Sequence, residues 1–371
     1  MNGISKVARW IVYHLPQRCI VFESVPDRSD NTEAVFKEMV RRQLNRKYTF
    51  VWLTDCKKNN WTKEKNVRYV SGKTLSLLFL CTAKCLICCN RFFTTNNPKT
   101  VSIFLGHGNP IKNTKTTYSV PFEQYTYLLA TSEGMKDLRA RIFNLDKKKL
   151  IVLGYPRNDD LTKSCISLHG LFNVSYKKKI VWYPTYRQHK NGLETNCKHA
   201  FPIIWNQKLA RELNDYAKEK EVLIVLKPHF AQDVSFIKEL GLSNLVFIND
   251  ELFVSNNISS YQFVASCDAL LTDFSSIYYD YTLCDKPIGL IWEDYEEYCE
   301  NPGFAVDMDY MMKGGCKIYN IEDLKLFIND ISTGIDRLQK ERREIRDFAN
   351  CSTDGRNAER VVDFLIEKAN L

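Results

Sequence analysis

The sequence predicts an α/β protein of two doubly wound domains, on three observations. Short apolar runs of strand length alternate with helix-like stretches along most of the chain. The runs are too short for helices and end at polar or turn-forming residues. Four of them lead directly into His, Lys, Arg, Thr or Ser, at the strand ends where open parallel sheets hold ligands.

In order, Ile4, Val7, Ala8, Ile11, Val12 and Leu15 form one stripe of an amphipathic helix that Pro16 ends. Lys6, Arg9 and His14 lie off the stripe and Trp10 is nearby, so a docked helix and a peripheral membrane contact are both open. Cys19–Phe22 reads as the first strand, ending at Glu23-Ser24. Asn31 or Thr32 can cap the helix that follows, through Met39 to Leu44. Tyr48–Leu53 and Val67–Val70 are further strands. Leu75–Cys89 is broken by Lys84 and short for a membrane span, so a core helix or a helix–strand pair is expected. Val101–Leu105 leads into Gly106-His107-Gly108-Asn109-Pro110. Tyr127–Ala130 precedes a helix through Met135 to Phe143, and Leu150–Leu153 runs into the turn Gly154-Tyr155-Pro156-Arg157-Asn158-Asp159.

Lys163 to Lys178 lacks a clear period and is the best linker, placing the domains at 1–165 and 177–371. In the second, Lys179–Tyr183 leads into Pro184-Thr185-Tyr186-Arg187, and Val222–Leu226 into Lys227-Pro228-His229. Ala269–Leu271 leads into Asp273-Phe274-Ser275-Ser276, which reads as strand, tight turn and helix with a serine at the N-cap. A helix start attracts anions, and two hydroxyls there suit phosphate oxygens. An isolated Asp-x-Ser-Ser would more simply be a helix cap. Tyr298–Asp309 is expected as a loop near the site, Asp336–Asp347 as a solvated helix, and Asn357–Ala369 as a final amphipathic helix. Two such domains joined by a linker, facing across a cleft, make the Rossmann-like GT-B architecture; one large sheet is the competing arrangement.

Apolar content of 44% and charged content of 26% are those of a globular protein, and the net charge of +8 suits an anionic partner. The 13 cysteines form no framework and no zinc spacing, and read as reduced thiols in a cytoplasmic protein. No signal peptide is visible. No nucleic-acid module or basic-aromatic stripe stands out.

At its motifs the chain resembles the CDP-glycerol glycerophosphotransferase family of teichoic-acid polymerases and primases. The resemblance rests on Gly106-His107-Gly108-Asn109-Pro110-Ile111-Lys112, Gly154-Tyr155-Pro156-Arg157-Asn158-Asp159, Tyr183-Pro184-Thr185-Tyr186-Arg187, Lys227-Pro228-His229, and Asp273-Phe274-Ser275-Ser276 with Asp285-Lys286-Pro287. Phe22-Glu23-Ser24, Ser29-Asp30-Asn31, Asp354-Gly355 and Arg360 also fit. The chain departs from the family where Gly106 replaces a Trp, Asn109 a Thr, and Gln188 an acidic residue.

The resemblance implies transfer of glycerol phosphate, or a related polyol phosphate, from CDP-glycerol or another CDP-polyol to a hydroxyl of a lipid-linked or polymeric glycan, with release of CMP. It implies His107 as base and His229 on the diphosphate, helped by Lys227. Ser275 and Ser276 hold phosphate, Thr185 and Arg187 meet phosphate or the glycerol end, and Lys112 and Arg157 join the substrate site. Asp273 and Asp280 belong to that site chiefly as orienting groups, since a carboxylate repels a diphosphate. No cofactor and no tightly bound metal are expected, and the expected location is the inner face of the cell membrane. The alternatives are a glycosyltransferase using a nucleotide sugar and a catalytically inert, membrane-associated binding protein.

Overall fold

The computed structural model describes residues 10–55, 64–95, 97–113, 122–163, 170–185, 201–228 and 235–371. The chain divides into two compact units, each built on one parallel sheet. The first unit holds residues 1–108, 118–159 and 354–371, and the second 109–117 and 160–353. This division differs from 1–165 and 177–371 in three places: residues 109–117 and those from 160 to 353 fall in the second unit, and 354–371, with the C-terminal helix, in the first.

In the first unit the strands are β1 (Cys19–Glu23), β2 (Thr49–Leu53), β3 (Val67–Val70), β4 (Ala83–Cys88), β5 (Val101–Phe104), β6 (Tyr127–Ala130) and β7 (Leu150–Val152). They form a seven-stranded sheet in the order β3-β2-β1-β4-β5-β6-β7. Every pairing is parallel, so both faces must be covered and the strands read as continuous apolar runs. Helix α1 (Asp30–Arg41) follows β1, α2 (Lys73–Cys81) precedes β4, and α3 (Glu133–Phe143) links β6 to β7. The stretch Leu75–Cys89 is therefore the helix–strand pair. One core layer joins Phe22, Phe36, Phe50 and Trp52 to Val361, Val362 and Leu365 of the C-terminal helix Asn357–Ala369.

The second sheet has six strands in the order β10-β9-β8-β11-β12-β13. These are β8 (Lys178–Trp182), β9 (Val222–Leu226), β10 (Leu245–Phe247), β11 (Ala269–Thr272), β12 (Ile288–Ile291) and β13 (Cys316–Ile318), again all parallel. Helices α4 (Gln207–Glu219), α5 (Ile277–Tyr281), α6 (Ile321–Thr333) and α7 (Gln339–Ala349) are its main covering and connecting elements. In both sheets the strand order reverses direction once, between β1 and β4 and between β8 and β11. These are the switch points where ligands bind in open α/β sheets.

Two local expectations change. Helix α1 has Ser29 at its N-cap, and Asn31 lies inside the helix with its side chain turned to other partners. The charged run Asp336–Asp347 is not simply solvated: Arg342 and Ile345 are fully buried, and Arg342 pairs with Asp336 and Asp285.

Because Leu365 is fully buried in the first unit's core, Leu365→Ala should cost about 2–5 kcal/mol. Urea unfolding measures this; a loss under about 0.5 kcal/mol, as at a surface position, would mean that the C-terminal helix is not part of that core.

Candidate functional site

The second sheet's switch point is closed by one buried carboxylate. β11 ends at Thr272, and Asp273 follows with no exposed surface. Its carboxylate accepts the Thr185 backbone N–H at 2.9 and 3.0 Å and the Thr185 hydroxyl at 2.5 Å. Thr185 lies just beyond β8, so this bond ties the exits of the two strands flanking the reversal. Thr272 adds a bond from its hydroxyl to the Tyr183 carbonyl, at 2.8 Å.

Helix α5 begins at Ile277 with Ser276 at the N-cap position, but the Ser276 side chain makes no capping bond. Ser275 and Ser276 are half-buried, and neither hydroxyl has a protein partner among the described residues. Asp273 caps no helix either, since its oxygens serve Thr185. The simple capping account of Asp-x-Ser-Ser therefore does not describe this turn. Asp280 is buried and accepts the Tyr261 hydroxyl at 2.6 Å. Phe274 packs on Tyr298, Trp292 and Phe304, with ring centroids 4.5, 5.3 and 5.1 Å away. The loop after Tyr298 is thereby set against the serine turn. Lys112 bridges Phe304 through the backbone, and its ammonium stands 5.5 Å from the centre of the Tyr298 ring. Lys227 pairs with Asp250 at 3.0 Å. Arg187 and His229 lie outside the described residues.

In the first unit His107 follows β5 in a loop opened by Gly106, whose φ is +70°. The Gly106 carbonyl accepts the Asn31 amide at 2.8 Å and the Cys89 thiol at 3.1 Å. Asn31 also receives the Arg157 backbone N–H at 3.1 Å, so one buried amide holds two motif loops together. The Arg157 guanidinium is paired with Asp30 at 2.7 Å. His107 keeps exposed surface although protein atoms crowd round it. Desolvation pulls its imidazole below the ordinary 6.5; Arg157 and Arg139 add to this, while Asp30 and a bond to the Cys89 backbone oppose it. A lowered value keeps the ring neutral near pH 7, the form a general base needs.

Beside it, the fully buried Glu23 closes the first sheet's switch point. It accepts the backbone N–H groups of Cys89, Asn90 and Arg91 at 3.1–3.2 Å. Burial raises its carboxyl above the usual range, and those bonds pull it part of the way back. In the sequence Glu23 reads as a strand end and Asn31 as a helix cap, and both match a motif; their buried bonding roles are not readable there. Arg139 was not singled out at all, although a cation on the apolar stripe of Met135, Leu138 and Ile142 is a readable signal.

The family model described as CDP-Glycerol:Poly(glycerophosphate) glycerophosphotransferase matches residues 6–367. The chain belongs to this family. It is 23% identical over 329 residues to a teichoic acid poly(glycerol phosphate) polymerase of Bacillus spizizenii, covering 80% of each chain. It is 23% identical over 252 residues to a teichoic acid ribitol-phosphate primase of the same species, covering 65% of this chain and 59% of the relative. The wall teichoic acid polymerase TagF superposes with a TM-score of 0.73 at 18% identity, covering 99% of this chain and 93% of that one. At that identity the likeness to TagF is one of fold, the GT-B-like pair of parallel-sheet domains.

Two of the glycerophosphotransferase motifs have structural members. Asp159 accepts the N–H groups of Asn357 and Ala358 at 2.8 and 2.9 Å, capping the C-terminal helix. Asp285 pairs with Arg343, and Lys286 donates to the carbonyls of Ala265 and Cys267 at 2.6 and 2.8 Å.

Asp273 has its acceptors on Thr185, so Asp273→Ala should strand a buried N–H and hydroxyl. A loss of at least about 1.5–3 kcal/mol in urea unfolding is expected, with Asp273→Asn milder. Unchanged stability with lost donor binding would instead put Asp273 on the ligand.

Proposed function

We propose that the protein transfers glycerol phosphate, or a related polyol phosphate, from a CDP-polyol to a hydroxyl of a teichoic-acid-type or capsular acceptor. The observation that carries this reading is the family match over residues 6–367, with its polar motifs placed at carboxyl ends of strands. The acceptor oxygen forms a bond to the phosphorus farther from cytidine. The bond from that phosphorus to the bridging oxygen breaks, and CMP leaves with the electron pair.

His107 takes the acceptor proton. Its exposed surface, its lowered pKa and the absence of side chains on Gly106 and Gly108 support that role. Ser275 and Ser276, with hydroxyls unclaimed by the described protein, hold the donor phosphates, and His229 with Arg187 neutralises the leaving CMP. Thr185, held in place by Asp273, lines the polyol end. Lys227 is shared with Asp250, so its part is weaker than its sequence position implies. Lys112 serves as fixed positive charge, and Arg157, paired with Asp30, positions the motif loop at the substrate site.

CMP release from CDP-glycerol and CDP-ribitol, with membranes as the acceptor source, tests the reading directly. Release of UDP or GDP from a nucleotide sugar, and none from either CDP-polyol, would replace it with a glycosyltransferase. His107→Gln should lower kcat by roughly 10²–10⁴-fold with donor affinity and Tm nearly intact. In the unaltered enzyme protonation of His107 removes the base, so kcat/KM should fall on the acid side with an apparent pKa below the ordinary 6.5 of an imidazole. A stable, donor-binding His107→Gln protein with normal turnover would remove the assignment.

The acceptor side is proposed to work at a membrane surface. No described helix is long and apolar enough to cross a membrane. Trp10, Ile11 and Tyr13 on the helical residues 10–14 are exposed, as are Leu75, Leu77 and Leu78 on α2. Asn97 donates to the Val12 and Cys81 carbonyls at 2.9 and 3.4 Å, which makes the two apolar surfaces neighbours. Replacing Leu75, Leu77 and Leu78 by Ser should reduce sedimentation with anionic liposomes and leave CDP-glycerol binding unchanged; equal sedimentation would end the membrane proposal.

A further inference from the structure

Arg139 is the most unusual charge in the first unit. It lies on α3 at the i+4 position of the apolar stripe Met135, Leu138 and Ile142, and is only 3% exposed. Its Nη1 donates to the Tyr155 hydroxyl at 2.9 Å. Its Nε is sealed from solvent with no acceptor, and no carboxylate among the described residues stands within ion-pair distance. A phenol oxygen supplies a dipole and no counter-charge. Taking a guanidinium out of water without an opposite charge is strongly unfavourable, more than holding a tyrosine requires.

The position of the guanidinium supplies a reason for that cost. A Cβ on Gly106 would lie 3.5 Å from both Nη1 and Nη2 and 3.6 Å from the Tyr155 hydroxyl. The guanidinium therefore stands directly against the Gly106 backbone, one residue from His107, and Gly106 puts no side chain over it. The neighbouring Arg157 is answered by Asp30 at 2.7 Å, so Arg139 leaves this corner net positive. A planar guanidinium in a desolvated site binds a phosphate by paired hydrogen bonds.

We propose that Arg139, against the Gly106–His107 backbone, forms an anion subsite for a phosphate group of the acceptor, beside the hydroxyl that His107 deprotonates. This rests on the transferase reading above. The enzyme would thus prefer an acceptor that already carries a phosphate to an uncharged glycan. The acceptor is favoured over the donor as the source because Arg139 shares its unit with His107, whereas Ser275 and Ser276 belong to the other unit.

The test is calorimetry with three probes: a soluble glycoside ending in glycerol phosphate, the same glycoside ending in glycerol, and CDP-glycerol. The unaltered protein should bind the phosphorylated glycoside at least roughly 10-fold more tightly than the neutral one. Arg139→Met should weaken the phosphorylated glycoside roughly 10- to 100-fold, leaving the other two probes unchanged, and Arg139→Lys should recover part of the loss. Equal weakening of both glycosides would make Arg139 a structural bolt. Loss confined to CDP-glycerol would assign the phosphate to the donor, and no loss at all would leave no subsite; each overturns the proposal. If Arg139→Met does not fold, equal affinity of the unaltered protein for the two glycosides overturns it alone. These binding readouts need no turnover, so a failure to release CMP from CDP-polyols counts against the transferase reading and not against the subsite.

Discussion

The rest of the site depends on one constraint at each reversal of strand order. Where the order turns, neighbouring strands send their chains off in opposite directions, and backbone N–H groups at their exits lose ladder partners. A buried carboxylate answers them in both sheets. Glu23 reaches from the end of β1 to three successive amides beyond β4. Asp273 reaches from the end of β11 to the amide and hydroxyl beyond β8. Both acids make bonds that hold loops in place, and both lie with no exposed surface. A carboxylate so engaged does not confront a diphosphate. It allows Thr185, the serine turn and the loop at Cys89 to keep fixed positions without burying unpaired polar groups.

From those fixed loops the character of the His107 site follows. Its backbone is held through the Gly106 carbonyl by Asn31 and Cys89, and its ring bonds the Cys89 backbone. The imidazole is then tuned by what surrounds it: desolvation and two arginines act against its protonation, and Asp30 acts for it. Asp30 serves twice, since it also neutralises Arg157. A site in which every cation had its own carboxylate would leave His107 nearer its ordinary behaviour. Arg139, lacking one, affects both the histidine and any anion brought beside it.

The fold was legible in the sequence because parallel strands buried on both faces must be continuous apolar runs. The fully buried Val222–Leu226 shows this, with the same bounds in sequence and structure; the edge strand Val67–Val70 also keeps its bounds but leaves Arg68 exposed. β10 and β13, at three residues each, run into no motif that marks them, as the Gly154 turn marks the equally short β7. The place of the C-terminal helix was not legible, because its apolar stripe says that it packs and not on which sheet. Motif residues were legible as a set, but their division of labour was not. Asp159, Asp285 and Lys286 stand in motifs beside proposed site residues and yet bind helix ends, arginines and carbonyls. Sequence order carries no record of which neighbour a carboxylate meets.

That division matters for the net charge of +8, which by itself says only that an anion is welcome. Attraction at close range comes from cations that the protein has not already neutralised. Arg157 faces Asp30, Lys227 faces Asp250, and Arg342 faces Asp336 and Asp285. Each pair adds a fixed dipole and little net field. Against these stand an arginine under Gly106 with a phenol for a partner and two serine hydroxyls at the start of α5 without one. These groups differ from the paired cations in one respect: their hydrogen-bonding capacity is not consumed by the described fold. A phosphate-binding protein has to keep some donors in that condition. Doing so inside a packed domain costs stability, which the surrounding paired network and the two closed strand ends offset.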